Sequence, residues 1–130
     1  PASNNALDMF REMYLAAVLP KLKYKDAAVM DAADVLKMAT TGGALAMGLP
    51  ECMYVKKDQF ADLILIDLQR PNMQPVHNLV KNLVYSGSKE NVKMTMVNGM
   101  VLYENGEFFV GESPSEIYAK ANEVTKRITQ

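Results

Sequence analysis

The amino-acid sequence predicts an α+β fold, with helices in the first third and at the C-terminus and short strands between them. Apolar residues recur at helical spacing over residues 7–18, which is typical of an amphipathic helix. The continuous apolar run at residues 63–66 is typical of a buried strand. Residues 92–97 alternate in polarity and are followed by Asn98-Gly99, the strongest short hairpin signal.

Composition limits the possible partners and location. The chain has 130 residues, 49% hydrophobic and 22% charged, with a formal net charge of −1. This is one domain's worth of ordinary globular sequence, and we expect no nucleic-acid and no membrane partner. A single cysteine, Cys52, excludes an internal disulfide and fits a reducing cytoplasm. Because the chain begins with Pro1 rather than Met, we expect a processed product or a piece of a longer protein.

The first helix is predicted from its start signals and its periodicity. Ser3, Asn4 and Asn5 can accept hydrogen bonds from the free N–H groups of a first turn. The periodicity then predicts about four turns that end near Pro20. Residues 21–25 carry three lysines among apolar residues and are predicted to form a surface loop.

A second helical region follows. Asp31 is predicted to cap it, and the segment 40–43, Thr-Thr-Gly-Gly, is predicted to interrupt it with a glycine bend. An alanine-rich helix at 44–47 follows, with Gly48 in the left-handed conformation that ends many helices. Because the glycine pair has no Walker lysine and no strand before it, close helix packing explains it better than phosphate binding.

The rest of the chain is predicted to be mainly strands, closed by a helix. In order, we predict a strand at 61–68 buried on both faces, a helical turn running into a strand at 78–86, strands at 92–97, 100–103 and 108–110, and a helix from Ser113. Asn105-Gly106 is predicted to form a second turn, between the last two of these strands. The sequence Ser113-Pro114-Ser115-Glu116 supplies an N-cap, a proline in the first turn and a carboxylate that can reach back.

Few residues can carry chemistry. His77 is the one histidine and lies in a predicted loop, where a general base, a metal ligand and a purely structural role all remain open. Cys52 has no histidine near it in sequence. Asp62 and Asp67 bracket the apolar strand, where closing the strand ends competes with a paired-carboxylate site. The residues alone therefore predict no self-contained active site.

Several short motifs carry a resemblance to a known family. The matching segments are Ser3-Asn4-Asn5 with Leu7-Asp8-Met9, Met38-Ala39-Thr40 with Gly43-Ala44 and Gly48-Leu49, Ala61-Asp62-Leu63-Ile64-Leu65-Ile66-Asp67, Asn82-Leu83-Val84-Tyr85, and Val97-Asn98-Gly99. In this order the chain resembles the C-terminal portion of a metal-dependent amidohydrolase. The closest likeness is to the chlorohydrolase-like deaminases that act on S-adenosylhomocysteine, methylthioadenosine and related adenosines.

The resemblance implies a (β/α)8 barrel with a small composite β-sandwich built from both chain ends. Residues 1–50 would be the helical end of the barrel, 51–112 the β-rich sandwich portion and 113–130 a C-terminal helix. The family's metal ligands are an N-terminal His-x-His, two further histidines and an aspartate before the Ser-Asn-Asn segment. None of them maps onto this chain, so the resemblance implies a divalent metal, zinc or iron, in the full-length parent and none in this chain.

The implied activity is hydrolysis of a non-peptide carbon–nitrogen bond by metal-activated hydroxide, on an adenosine-like or related heterocyclic substrate. Ser3, Asn4 and Asn5 are the candidate substrate-binding residues, with capping of the first helix as the alternative. The implied partners are the remainder of the barrel, a small-molecule substrate and a second copy of the chain, and the fragment alone is predicted to be inactive. The competing hypothesis is a non-catalytic interaction module that dimerises through exposed sheet edges.

The sequence departs from the family at one place. The family usually has two glycines in the turn before the Ala-Asp-Leu strand, where this chain has Met53 and Asp58. We therefore expect either an altered hairpin at this point or a slip of one residue in the match.

Overall fold

The computed structural model describes residues 5–129, which form five α-helices and one four-stranded antiparallel sheet. The elements are α1 (Met9–Tyr24), α2 (Ala32–Lys37), α3 (Gly43–Ala46), β1 (Leu63–Ile66), α4 (Leu79–Tyr85), β2 (Val92–Val97), β3 (Met100–Glu104), β4 (Glu107–Phe108) and α5 (Pro114–Ile128). The predicted α+β class is confirmed. None of the helices between residues 5 and 129 is both long enough and apolar enough to cross a membrane.

Helix α1 begins later than predicted. Asp8 is its N-cap, and the carboxylate accepts the backbone N–H groups of Phe10 at 3.1 Å and Arg11 at 3.3 Å. The predicted start at residues 3–5 is therefore wrong for Asn5, which lies in a bend before the helix. Ser3 and Asn4 lie outside the described residues. Asp8 serves as the N-cap because an ionised carboxylate is a strong acceptor at the positive end of the helix dipole.

Helix α1 also ends later than predicted. Pro20 lies inside the helix, which continues to Tyr24 and ends at Lys25 in the left-handed conformation, with φ 52°. Residues 21–24 are thus its last turn rather than a surface loop. Proline removes one helical hydrogen bond, but the helix is anchored before it by its buried face around Ala17 and closed after it by bonds from the Lys25 N–H to the Leu22 and Lys21 carbonyls.

Lys21 fastens the following loop to the end of α1. Its ammonium group donates hydrogen bonds to the backbone carbonyls of Ala27 at 2.9 Å, Val29 at 2.5 Å and Met30 at 3.1 Å. Three carbonyl acceptors converge on one cation, so charge-assisted hydrogen bonds close the loop.

The second helical region continues through the glycine pair without a bend. Asp31 caps α2 as predicted and accepts the N–H of Ala33 at 2.8 Å. Residues Met38–Gly42 form a π-helical turn that leads directly into α3. The predicted glycine bend is wrong because Gly42 and Gly43 keep helical φ values of −65° and −61°.

Left-handed residues lie where the chain reverses. Gly48, with φ 72°, follows α3 as predicted. Of the two positions where the family has glycine, Asp58 has φ 65°, a conformation in which glycine is unstrained, whereas Met53 has φ −69°. Of the two residues that replace the family's glycines, only Asp58 therefore lies where the backbone conformation favours glycine.

The sheet has the order β1-β2-β3-β4, and every neighbouring pair is antiparallel. Asn98-Gly99 joins β2 to β3, with φ values of 48° and 77°, and Asn105-Gly106 joins β3 to β4, with 48° and 98°. Both predicted hairpins are confirmed, because their residues tolerate the positive φ values that tight turns demand.

Two predictions for the middle of the chain are wrong. Helix α4 spans Leu79–Tyr85 with Asn78 as its N-cap, so the helical turn predicted at 78–86 is present but the strand after it is not. The strand at 61–68 shortens to β1, in which Ile64 and Leu65 are 47% and 53% exposed rather than buried on both faces. Strand β1 is an outer strand of the described sheet and pairs only with β2, so much of its apolar surface has nothing over it.

The core lies where the helices meet the end of the sheet. Its buried members come from α1, α2 and α4, with side chains of β1 and β2 packed against them: Phe10, Met13, Ala17, Ala32, Val35 and Val84, flanked by Ile66 and Val92. Helix α5 has no buried residue. The predicted capping box at its start is confirmed, with Ser113 and Glu116 bonding reciprocally.

Candidate functional site

The substrate-binding residues predicted from the sequence lie at the entrance to α1. Asn5 is exposed and precedes the N-cap of that helix. Ser3 and Asn4 lie outside the described residues, so the prediction for this segment stays a prediction. This segment precedes an anchored helix, because the Asp8 carboxylate accepts hydrogen bonds from the first turn of α1.

The described residues do not fit a metal ion by themselves. Between residues 5 and 129, no three side chains of His, Cys, Asp or Glu come together as a ligand set. A protein zinc or iron site needs three or four such ligands. His77 is exposed in the loop before α4, and no other candidate ligand joins it there.

Cys52 and Asp62 form a contact that ties three segments together. The Cys52 thiol donates to one oxygen of the Asp62 carboxylate at 3.0 Å, and the other oxygen accepts the N–H of Asn98 in the β2–β3 turn. The bond to Asp62, together with partial burial, raises the pKa of the Cys52 thiol above 9.0. Because the thiolate is the reactive form, this shift disfavours a nucleophilic role, and the contact to Asp62 holds the turn before β1.

Asp67 closes the other end of β1. Its carboxylate accepts the N–H of Gln69 at 2.9 Å and lies 3.5 Å from both the Arg70 and Lys93 side chains. The Gln69 N–H group, followed by the charges of Lys93 and Arg70, lowers the pKa of Asp67. Both aspartates therefore close strand ends, the structural alternative that the sequence left open.

A polar cleft lies beside these groups. Its cavity of about 420 Å³ is lined by side chains that include Arg70, Asn72, Ser88, Glu90 and Asn91. Asn91 is 1% exposed, and its amide is fully used by neighbouring chain segments. No buried side-chain N or O atom of the described residues lacks a partner. The side chains that line the cleft therefore hold neighbouring loops together, and none of their buried N or O atoms is left unpaired for a ligand.

An apolar groove runs between α1, α2 and β1. Two adjoining cavities of about 170 and 130 Å³ share Met9, Met13 and Ala39, and the second is also lined by Ile64 of β1. No sequence signal pointed to it, because it joins residues more than fifty positions apart. The chemistry of this groove is that of a packing surface, since its lining is almost entirely apolar.

Comparison with known proteins identifies related chains. The model of the amidohydrolase family matches residues 1–102. A 5-methylthioadenosine/S-adenosylhomocysteine deaminase from Archaeoglobus fulgidus is 43% identical over 128 residues, which is 98% of this chain and 30% of the relative. A relative of the same name from Haloquadratum walsbyi is 46% identical over 82% of this chain and 24% of its own length. The chain thus spans less than a third of these relatives.

Solved structures give the same answer at the level of the fold. An adenosine deaminase from Xanthomonas campestris with bound zinc matches with a TM-score of 0.91 and 33% identity, over 98% of this chain and 29% of that one. An atrazine chlorohydrolase from Arthrobacter aurescens complexed with zinc matches with a TM-score of 0.77 and 25% identity, over 88% of this chain and 25% of its own. The fold of this chain therefore recurs inside chains more than three times as long.

Proposed function

Because the chain belongs to the amidohydrolase family, we propose that it forms the C-terminal part of a deaminase-type hydrolase acting on a non-peptide carbon–nitrogen bond. The observation that carries the proposal is the 43% identity to the Archaeoglobus deaminase along 98% of this chain. The aligned residues include the helices and the sheet alike. The proposed substrate class is adenosine-like, as the names of that relative and of the Xanthomonas adenosine deaminase suggest.

The proposed parent enzyme is metal-dependent, and zinc is the metal favoured by the two solved relatives. Since no ligand set exists within residues 5–129, the remainder of the parent would supply the ligands. No catalytic step is assigned to the described residues. We propose that the isolated chain is inactive for this reason.

The proposed role of this chain is to build the wall next to the reacting centre. Residues 1–50 would form the last helices of a barrel, 51–112 the C-terminal strands of a sandwich and 113–130 a terminal helix. The Asp8 cap and the buried face of α1 hold the start of this helix in place. This would position Ser3, Asn4 and Asn5 for contact with substrate.

The test compares this chain with the product of the whole reading frame that contains it. Each is assayed for bound zinc and for release of ammonia from adenosine, S-adenosylhomocysteine and methylthioadenosine. We expect stoichiometric zinc and turnover in the longer product, and neither in the 130-residue chain. Zinc at one equivalent, or turnover, in the chain alone would contradict the proposal that its site lies elsewhere.

The role of Ser3–Asn5 is tested in the same longer product. Asn4→Ala is expected to raise KM, because a substrate contact is lost, while Asn122→Ala on the exposed surface of α5 leaves KM unchanged. An Asn4→Ala enzyme with unaltered KM and kcat but lower thermal stability would assign this segment to helix capping instead.

An interaction module remains the second candidate, because β1 leaves one edge of the sheet open and its residues Ile64 and Leu65 about half exposed. Exposed strand edges are common sites of pairing with another chain. A start codon directly before Pro1 in the gene, together with a stable dimer of the isolated chain, would favour this candidate. A long upstream reading frame with a His-x-His motif would favour the hydrolase.

A further inference from the structure

Two Asn-Gly turns of the sheet carry the same reactive pair of residues. Asn98-Gly99 joins β2 to β3, and Asn105-Gly106 joins β3 to β4. Both asparagines have a φ of 48°, and all four residues are exposed. An asparagine can lose its amide when the backbone nitrogen of the next residue attacks its side-chain carbonyl carbon. Because glycine has no side chain to hinder this attack, both turns are chemically capable of the reaction.

The Asn98-Gly99 turn is tied to a third segment of the chain. The Gly99 N–H, which holds the nitrogen that would attack, donates to the carbonyl of Ala61 at 3.2 Å. The Asn98 N–H donates to the carboxylate of Asp62. The strands on either side, β2 and β3, have six and five residues. The attacking nitrogen is thus occupied, and the turn can rearrange only after these bonds break.

The Asn105-Gly106 turn lacks such an anchor on its glycine. Within the part of the chain that the structure describes, no acceptor receives a hydrogen bond from the Gly106 N–H. The Asn105 N–H donates to the carbonyl of Lys93 at 2.8 Å, but this bond leaves the nitrogen of Gly106 free. The strand that follows, β4, has only two residues. Short, exposed segments of this kind open locally at a low cost in free energy.

We propose that Asn105 is a site of spontaneous deamidation in the folded protein and that Asn98 is protected. The Gly106 nitrogen bonds to the side-chain carbonyl carbon of Asn105, its proton passes to the departing amide, and ammonia leaves. Water then opens the resulting succinimide ring at either carbonyl, which gives aspartate or isoaspartate. One water is consumed and one ammonia is released, with no oxidant or reductant. The reaction is independent of the proposed deaminase activity, because it occurs at an exposed turn and needs only water.

Isoaspartate at this position would disturb the strand that follows the turn. It carries the main chain through the former side-chain methylene and so lengthens the backbone between Glu104 and Glu107, which are paired across β3 and β4. It also places a carboxylate between these two exposed glutamates. The Phe108 ring of β4 lies 5.0 Å from the Tyr103 ring of β3, measured between centroids. We therefore expect this end of the sheet to loosen as Asn105 is converted.

The test follows both sites in the product of the whole reading frame that contains this chain. The protein is incubated in mildly alkaline buffer, and peptide mapping by mass spectrometry measures the rate of conversion at each asparagine. We expect Asn105 to convert at least ~tenfold faster than Asn98, because the bonds at Asn98 and Gly99 must first open. In the same protein held unfolded in urea, the two rates should be nearly equal, since both sites are Asn-Gly.

Two matched variants test the cause of the difference. Asp62→Ala removes the carboxylate that accepts the Asn98 N–H and should speed conversion at Asn98 at least ~threefold, with the rate at Asn105 unchanged. Asp34→Ala makes the same chemical change at an exposed residue of α2 and should alter neither rate. If Asp62→Ala does not fold, the comparison of the two sites in the unaltered protein still decides.

The loosening of β4 is measured by hydrogen exchange at the Phe108 amide. After conversion of Asn105 we expect this amide to exchange at least ~tenfold faster than before. Asn105→Gln is the control, because its longer side chain forms the cyclic intermediate far more slowly, and it should keep the protection of Phe108 after the same incubation. Unchanged protection after full conversion would refute the predicted effect on β4.

Four results would overturn the proposed selectivity. They are equal rates at the two sites of the folded protein, faster conversion at Asn98, absence of conversion at Asn105, and an unchanged Asn98 rate in a folded Asp62→Ala protein. A difference between the sites that is as large in urea as in the folded protein would assign it to neighbouring residues in sequence. That result would overturn the proposal as well, because the hydrogen bonds of the turns would then play no part.

Discussion

Replacing Asn91 by leucine should destabilise the chain far more than its small change in size suggests. Asn91 is 1% exposed and is the one buried polar residue of the described chain. Its amide oxygen accepts from the N–H of Ser88 at 2.9 Å and from the amide of Asn72 at 2.8 Å. Its amide nitrogen donates to the carbonyl of Asp67 at 3.3 Å and to Asn72 at 3.2 Å. One side chain thus joins the end of β1, the 70–73 turn and the segment before β2.

The size of the loss in free energy of unfolding depends on which of these partners can form hydrogen bonds with water once Asn91 is replaced. Asn72 is exposed, so its amide can be hydrated once Asn91 is gone. The Ser88 N–H and the Asp67 carbonyl belong to half-buried residues, and leaving a buried polar group unsatisfied costs about 1–3 kcal/mol. Allowing for partial hydration of both, we expect Asn91→Leu to lower the free energy of unfolding by about 3 kcal/mol. That is a large share of the roughly 5–15 kcal/mol typical of a domain.

Urea unfolding followed by far-UV circular dichroism measures this loss. With a slope typical of a small domain, the midpoint should fall by about 1–2 M. Asn122→Leu, the same change at an exposed position of α5, is the control and should shift the free energy by less than about 0.5 kcal/mol. A loss below about 1 kcal/mol, or one no greater than that of the control, would show that the Asn91 network does not hold these segments together.

Three further expectations follow from other features. Asp58→Gly should raise the free energy of unfolding by about 0.5 kcal/mol in urea titrations, because φ of 65° strains aspartate. Met53→Gly, at a φ of −69°, should lower it by a similar amount. Asp62→Asn should speed alkylation of Cys52 by iodoacetamide at pH 8, because it removes the bond and charge that raise the thiol pKa. Leu65→Lys should shift the isolated chain from self-associated species towards monomer in light scattering, whereas Ile128→Lys should not.

The Asp62 contact also gives stability a definite dependence on pH. The hydrogen bond from Cys52, followed by that from Asn98, lowers the pKa of Asp62 below its ordinary value of 3.8. The folded state therefore favours the ionised carboxylate, and its contribution is present above pH 3.8 and lost as pH falls through the lower, folded value. The stability difference between the protein and Asp62→Asn should shrink over this acidic range in urea titrations.

Each of these expectations can fail in a specific way. Equal effects of Asp58→Gly and Met53→Gly would show that backbone strain at residue 58 is absent. Unchanged alkylation in Asp62→Asn would show that the carboxylate does not control the thiol. A Leu65→Lys chain that associates as strongly as the original would place self-association on a surface other than β1.

The turns and caps of this fold could be predicted from the sequence because each depends on a few adjacent residues. Asn98-Gly99, Asn105-Gly106 and the Ser113 capping box all form where the sequence placed them. In each case the local chemistry has few alternatives: positive φ favours Asn and Gly, and a free helix N–H group needs an acceptor.

The errors arise where tertiary packing overrides a local signal. Pro20 is a strong helix breaker in isolation, yet α1, anchored by its buried face before the proline, continues past it to the left-handed cap at Lys25. Residues 78–86 are rich in leucine and valine, which fit a strand or a helix equally well over so short a run. Val84 is fully buried against the helical core, and this contact between distant segments decides in favour of α4.

For the candidate site too, some features could be predicted from the sequence and others could not. Motif order predicted the amidohydrolase family, and the family match confirms it. The Cys52–Asp62 bond and the groove between α1 and β1 depend on how distant segments meet. Residue spacing along the sequence does not show which distant segments come into contact, so these features could be found only in the folded chain.

The π-helical turn at Met38–Gly42 affects how related sequences are compared. Such a turn holds one residue more than a regular helical turn, so loss of a single residue here would convert it into ordinary α-helix while both flanking helices persist. We expect insertions and deletions of one residue among relatives to collect in this turn rather than in the uninterrupted α1. Each residue of an α-helix advances the side-chain direction by about 100°. A gap-free alignment with a relative that lacks the extra residue would therefore assign the wrong face of α3 to the interior.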